Sequence, residues 1–131
     1  MTHEEQAVLD GDYLLRRIHP DEVYRPDDGP SRPFSTAFKA RARDEPLSVF
    51  VERLLIANGL DDRALLVGHE RFFVVGFSAA FIRDLELDAE LDPDPDDTVV
   101  GRGRAHAIVT GSITGSRQTK IANRCDRRIW E

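Results

Sequence analysis

One cysteine, Cys125, is all the chain has, so no intrachain disulfide can form and no cysteine-rich zinc site exists. Long apolar runs are missing as well. Leu54-Leu55-Ile56 and Phe72-Phe73-Val74-Val75 fall far short of the ~20 residues that span a bilayer as a helix. The first residues, Met1-Thr2-His3-Glu4-Glu5, lack the basic start of a secretory signal. Together these absences point to the cytoplasm and away from membranes.

The familiar ligand motifs are also lacking. No Walker A sequence occurs, and Gly101-x-Gly103 lacks the third glycine of a dinucleotide fingerprint. No serine sits in a Gly-x-Ser-x-Gly elbow, which argues against a serine hydrolase of that type. Asp92-x-Asp94-x-Asp96 opens like a calcium loop, but position six is Asp97 and position twelve is Gly103, where Gly and Glu are required. The histidines at 3, 19, 69 and 106 are too scattered to propose a metal site. No cofactor is indicated.

What is present fits one folded domain over residues 1–131, with 1–12 a loose N-terminal segment. At 131 residues, with 40% apolar and 32% charged side chains, there is room for one core. The net charge of −6 is unevenly spread. Glu86, Asp88, Glu90, Asp92, Asp94, Asp96 and Asp97 follow one another without a basic residue. Beyond Gly101 the sign reverses, with Arg102, Arg104, Arg117, Lys120, Arg124, Arg127 and Arg128 against Asp126 and Glu131. The plain reading is a solubilising, orienting surface. The sharper one is a basic end that meets an acidic or phosphate-bearing partner. The acidic total argues against general nucleic-acid binding.

Periodicity predicts an α+β fold, a mixed sheet of about four to six strands with a C-terminal helix packed on one face. Thr2-x-x-Glu5 matches a capping box for a short helix to about Leu9. Residues 13–18 read as a strand, 25–33 as a Pro/Gly-rich loop, and 34–40 as a short strand. Leu47 to Val51 suits a strand and 52–58 a helix, although apolar spacing also allows one helix through both. Residues 71–75 form the clearest strand. Ser78 caps a helix to Leu85, Leu87-Ala89-Leu91 alternates as a half-buried strand, and Ala105 to Thr110 is another strand. Ser116 would cap a last helix with Ile121, Cys125 and Ile129 as its buried stripe.

Within this outline, strand alternation sends the adjacent Arg16 and Arg17 to opposite faces. One of them must enter the core side and find a partner there. His106 lies between two alanines, after Gly101-Arg102-Gly103-Arg104. It is a candidate base or ligand contact, against the plainer role of a half-buried structural histidine. Arg102, Arg104 and His106, with Arg16 or Arg17, are expected to form an anion-receiving patch, its glycines letting the backbone approach a ligand. Ser35 stands beside the Pro-rich loop, as a turn cap or as part of the same site. Cys125 is expected to be inert packing.

Leu15-Arg16-Arg17-Ile18-His19-Pro20, Phe34-Ser35-Thr36-Ala37-Phe38, Leu47-Ser48-Val49, Asp92-Pro93 and Ala105-His106-Ala107-Ile108 together resemble the R-x-H-P, S-x-A-F, L-S-V, D-P and H-A-x-I pattern of a family of small, uncharacterised bacterial proteins. The resemblance spans roughly residues 13–111 and departs at Phe34, where the pattern has a small residue. It implies a bacterial origin and carries no activity with it. An arginine on the first strand followed by a Ser/Thr segment is also similar to NAD-using ADP-ribosyltransferase-like folds. That likeness implies a later glutamate or histidine in the cleft, which Glu52 or His106 would supply. Two functions follow as expectations. The first is a non-catalytic module binding a partner protein or an acidic or phosphate-bearing ligand. The alternative is a compact enzyme acting on a nucleotide or RNA.

Overall fold

The computed structural model describes residues 7–39 and 46–130. The expected capping box at Thr2 lies outside them. The chain first forms β1 (Tyr13–Ile18), whose adjacent Leu14 and Leu15 are both buried, and a short hairpin of β2 (Val23–Tyr24) and β3 (Arg32–Pro33) follows. Next come β4 (Leu47–Val51) and α1 (Glu52–Ala57), then β5 (Phe73–Ser78) and α2 (Ala79–Asp84). The chain ends with β6 (Asp88–Leu91), α3 (Val100–Arg104), β7 (His106–Thr110), α4 (Gly115–Arg124) and β8 (Asp126–Ile129). The fold is α+β. Its main sheet has six strands in the order β6-β7-β4-β1-β5-β8, and every pairing in it is antiparallel.

Both faces of the sheet are covered, which is why its central strands are apolar on both sides. Leu14 and Ile18 of β1, Val49 and Val51 of β4, Val75 and Phe77 of β5 and Val109 of β7 share one face and one cluster. Phe38, Ile82 of α2 and Ile121 of α4 close over them. Leu15, Phe50 and Val74 point the other way and meet Leu55 of α1 and Leu65. The C-terminal helix therefore covers one face, through Ile121.

Several local expectations change. Residues 35–38 form a 3₁₀ turn, not a strand, which swings Phe38 into the core. The strand expected at 71–75 begins at Phe73 and runs to Ser78, because Arg71 is exposed and Phe72 only half-buried. Residues 101–104, expected as an open glycine loop, belong to α3. The glycines there serve close packing: a Cβ on Gly103 would lie 2.2 Å from the Asp94 carbonyl oxygen, and one on Gly101 2.8 Å from Asn58 Cβ. Thr114, not Ser116, caps α4. The helix stops at Arg124, so Cys125 is its C-cap and Ile129 lies in β8. Ile121 alone remains of the expected helical stripe.

The feature that positions the site is a fork at the centre of the sheet. All six residues of β1 pair with β5, but only Leu14 and Leu15 pair with β4, opposite Val51 and Phe50. Past Leu15 the two central strands diverge, because the first half of β4 is held by β7 through Leu47↔Val109 and Ser48↔Ile108. Carbonyls facing such a gap need donors. Arg16 provides one for Ser48, donating Nη1 to its carbonyl at 2.8 Å, and donates Nε to the Ala37 carbonyl of the 35–38 turn at 3.0 Å.

Candidate functional site

The fork opens into a cleft of about 770 Å³, within the size range of small-molecule sites. β1 contributes Arg16 and Arg17, β4 contributes Ser48 and Phe50, and β7 contributes His106. The loop before β5 adds His69 and Phe72. Antiparallel register explains the gathering. Phe50 sits opposite His106 and Ser48 opposite Ile108, and strand alternation puts all four side chains on one face. Of the four histidines in the chain, His19, His69 and His106 line this cleft.

Arg17 forms part of its floor. The guanidinium lies 5.2 Å from the Phe50 ring centroid and donates one hydrogen bond, from Nη1 to the Leu65 carbonyl at 3.2 Å. Among the described residues no carboxylate lies within ion-pair reach of it. Burial first, and the charge of Arg102 second, push its pKa below the ordinary arginine value, while Asp97 pulls the other way. Arginine stays protonated under such pressure. The result is a half-buried cation with unused forked donors. Arg102 and Arg17 also act on His69, whose pKa is held below the usual imidazole value by burial first and then by these two charges.

His106 is oriented. Its Nδ1 lies 2.7 Å from the Asp92 carbonyl oxygen and 3.5 Å from the Asp92 carboxylate. A carbonyl only accepts, so Nδ1 carries the proton and Nε2 of the neutral ring is an acceptor. Phe50 holds the ring from the side in an edge contact, with centroids 5.4 Å apart. Asp92 and Glu22 bring negative charge to the same rim, and Lys39 brings positive charge. Phe72, also in the lining, makes edge contacts with both His19 and His69, each at 5.0 Å.

The six residues singled out from the sequence therefore divide among several places. Arg16, Arg17 and His106 meet in the cleft. Arg102 is buried and structural, with its guanidinium on the Asp97 carboxylate at 2.7 and 2.9 Å and on the Ala64 and Val67 carbonyls. Arg104 is exposed at the end of α3 and reaches Asn58 at 3.3 Å. Ser35 lines a separate groove with Phe34 and Thr119. The expected patch of Arg102, Arg104 and His106 is thus not formed, because the short helix 100–104 turns Arg102 inward. Glu52 is outside the cleft and holds Arg128.

Sequence reasoning missed Ser48, Phe50, His69 and Phe72. Ser48 carried a usable signal, the one hydroxyl in Leu47-Ser48-Val49-Phe50-Val51. His69 and Phe72 had none, because a connecting loop brings them in. Among the described residues no group of three or more His, Cys, Asp or Glu could hold a metal ion, and no helix is long and apolar enough to cross a membrane. No family model, no curated protein and no solved structure matches this chain, so its function has to be read from the cleft itself.

Proposed function

We propose that the chain is a binding protein for a phosphate-bearing small molecule, held in the cleft with its anionic group on Arg17. One observation carries this reading: Arg17 is half-buried in the cleft, its fork is mostly unused, and no carboxylate of the described residues lies within ion-pair reach of it. A buried cation without a partner is costly, and an entering phosphate would supply the missing charge through paired donors. Phe72, half-buried, gives the same cleft apolar surface, which suits a ligand with a ring, such as a nucleotide.

Calorimetric titration with adenosine diphosphate tests the reading. Binding is expected for the wild type, and Arg17→Gln should lose about 1.5–3 kcal/mol, the worth of a charge-assisted bond where water is excluded. That corresponds to roughly a tenfold to hundredfold weaker affinity. Equal affinity in both proteins would refute it.

A second reading, an enzyme of ADP-ribosyltransferase-like chemistry, is favoured by a separate observation. Arg17 on the first strand, Ser48 on the strand beside the fork and the oriented His106 reach one cleft. Ser48 takes the place the sequence offered to Ser35, and His106 the place shared with Glu52. His106 Nε2 would accept a proton from the attacking group. If this holds, nicotinamide is released from NAD by the wild type, and His106→Asn falls at least about a hundredfold, the lower end of general-base contributions. Full activity in His106→Asn, or no release by the wild type, would leave the binding role alone.

A further inference from the structure

Two residues of the cleft lining, His106 and Asp92, are tied to each other through the backbone. The Asp92 N–H donates to the His106 carbonyl at 2.9 Å, and the Asp92 carbonyl accepts from the His106 ring at 2.7 Å. Pro93 follows at once and favours extended backbone at Asp92. The pair therefore holds its geometry without a ligand, which lowers the cost of binding one.

This pair offers the cleft hydrogen-bond acceptors. With the proton on Nδ1, Nε2 of His106 has no partner among the described residues. No buried side-chain nitrogen or oxygen among them is left unpartnered, so Nε2 is open to solvent in the cleft. The Asp92 carboxylate stands near the same ring, 59% exposed and 3.5 Å from Nδ1. Arg17 offers the opposite, a charged fork of donors. Its guanidinium and the His106 ring both lie against Phe50, 5.2 and 5.4 Å from the centroid of that ring. Donors and acceptors therefore stand no further apart than those two lengths end to end.

A phosphate on Arg17 cannot satisfy the acceptors. Its second proton leaves near pH 6, so above about pH 7 it has no proton to give His106, and the Asp92 carboxylate repels it. The donor has to come from another part of the same ligand, and a hydroxyl a few bonds from the phosphate spans such a gap. We propose that the ligand is a phosphorylated sugar with neighbouring hydroxyls, which donate to His106 Nε2 and to the Asp92 carboxylate while the phosphate lies on Arg17. This rests on Arg17 receiving the phosphate and adds the selecting end of the site. Acceptors placed for hydroxyls discriminate against an analogue without them, because they then lose water and gain nothing.

Calorimetry at about pH 7.5 tests this with adenosine diphosphate and its 2′,3′-dideoxy form, which keeps the same phosphates and base. The wild type should bind the dideoxy compound about tenfold more weakly, the loss of two neutral hydrogen bonds. That comparison needs no variant. In His106→Phe, a ring without nitrogen, the preference should fall to about threefold, and likewise in Asp92→Ala. Arg17→Gln should weaken both compounds and keep the preference. Equal wild-type affinity for the two compounds, with both weakened in Arg17→Gln, would overturn the hydroxyl contacts and leave the phosphate on Arg17. A full preference in folded His106→Phe would overturn them as well. Failure of the wild type to bind either compound would remove the phosphate and the hydroxyl contacts together.

Discussion

His69 and Arg17 are two positive-capable groups set close enough to oppose each other's charge, and that opposition makes the cleft sensitive to pH. Because the folded pKa of His69 lies below its ordinary value near 6.5, the folded state resists protonation there. Stability from this residue is present above about pH 6.5 and is lost as pH falls towards the folded pKa. An anion on Arg17 would relieve the repulsion and raise the His69 pKa, so binding and protonation must favour each other. Sulfate stays a dianion across this range and isolates the effect. Its affinity should rise as pH is lowered from 7.5 to 5.5, by about tenfold for each full unit that His69 is shifted on binding. His69→Gln should flatten the profile, and a flat wild-type profile would contradict the coupling.

The elements around the cleft show what the sequence could and could not reveal. Leu47-Ser48-Val49-Phe50-Val51 alternates and becomes β4, while Glu52 opens α1 directly after it. The apolar spacing that also allowed one helix through 47–58 arises because Leu47, Val49 and Val51 face one core and Phe50 and Leu55 the other. Gly59, at φ 75°, follows the C-cap Asn58 and closes that helix in the left-handed conformation glycine favours. The Gly101–Arg104 segment was illegible for a physical reason. Its glycines look like loop freedom, but they permit the contact with Asp94 and Asn58 that places α3. Arg102 then ties α3 to the acidic loop and to the 62–66 turn that follows α1. Asp97, held below the ordinary carboxylate range first by its hydrogen bond from Arg102, contributes stability that is present above about pH 4 and is lost as pH falls through its folded pKa. Arg102→Gln strands a buried carboxylate and should cost about 3–5 kcal/mol in urea unfolding. Arg104→Gln, at an exposed site, should stay within about 0.5 kcal/mol. Similar midpoints for the two variants would show that Arg102 is not the anchor.

Across the whole molecule, the division of charge along the chain becomes a division of labour. Part of the acidic stretch 86–97 is spent on ion pairs within the molecule: Asp97 on Arg102, Asp88 on Arg83 and Glu86 on Arg117. Among the basic residues that follow, Arg128 is held by Glu52 and Asp62, whereas Lys120 and Arg124 stay exposed on α4. Net charge therefore said little about the site, since the decisive cation is Arg17 in the first strand. Its importance comes from the forked sheet, which depends on pairings between residues far apart in the chain. The central claim is that Arg17 receives a phosphate. Following the Arg17 Nε–H signal by NMR while adenosine diphosphate is added tests it most directly. We expect that signal to shift and sharpen as the guanidinium is fixed, together with the amides of Ser48, Phe50 and His106. An Arg17 signal that stays unmoved at saturation would contradict the account.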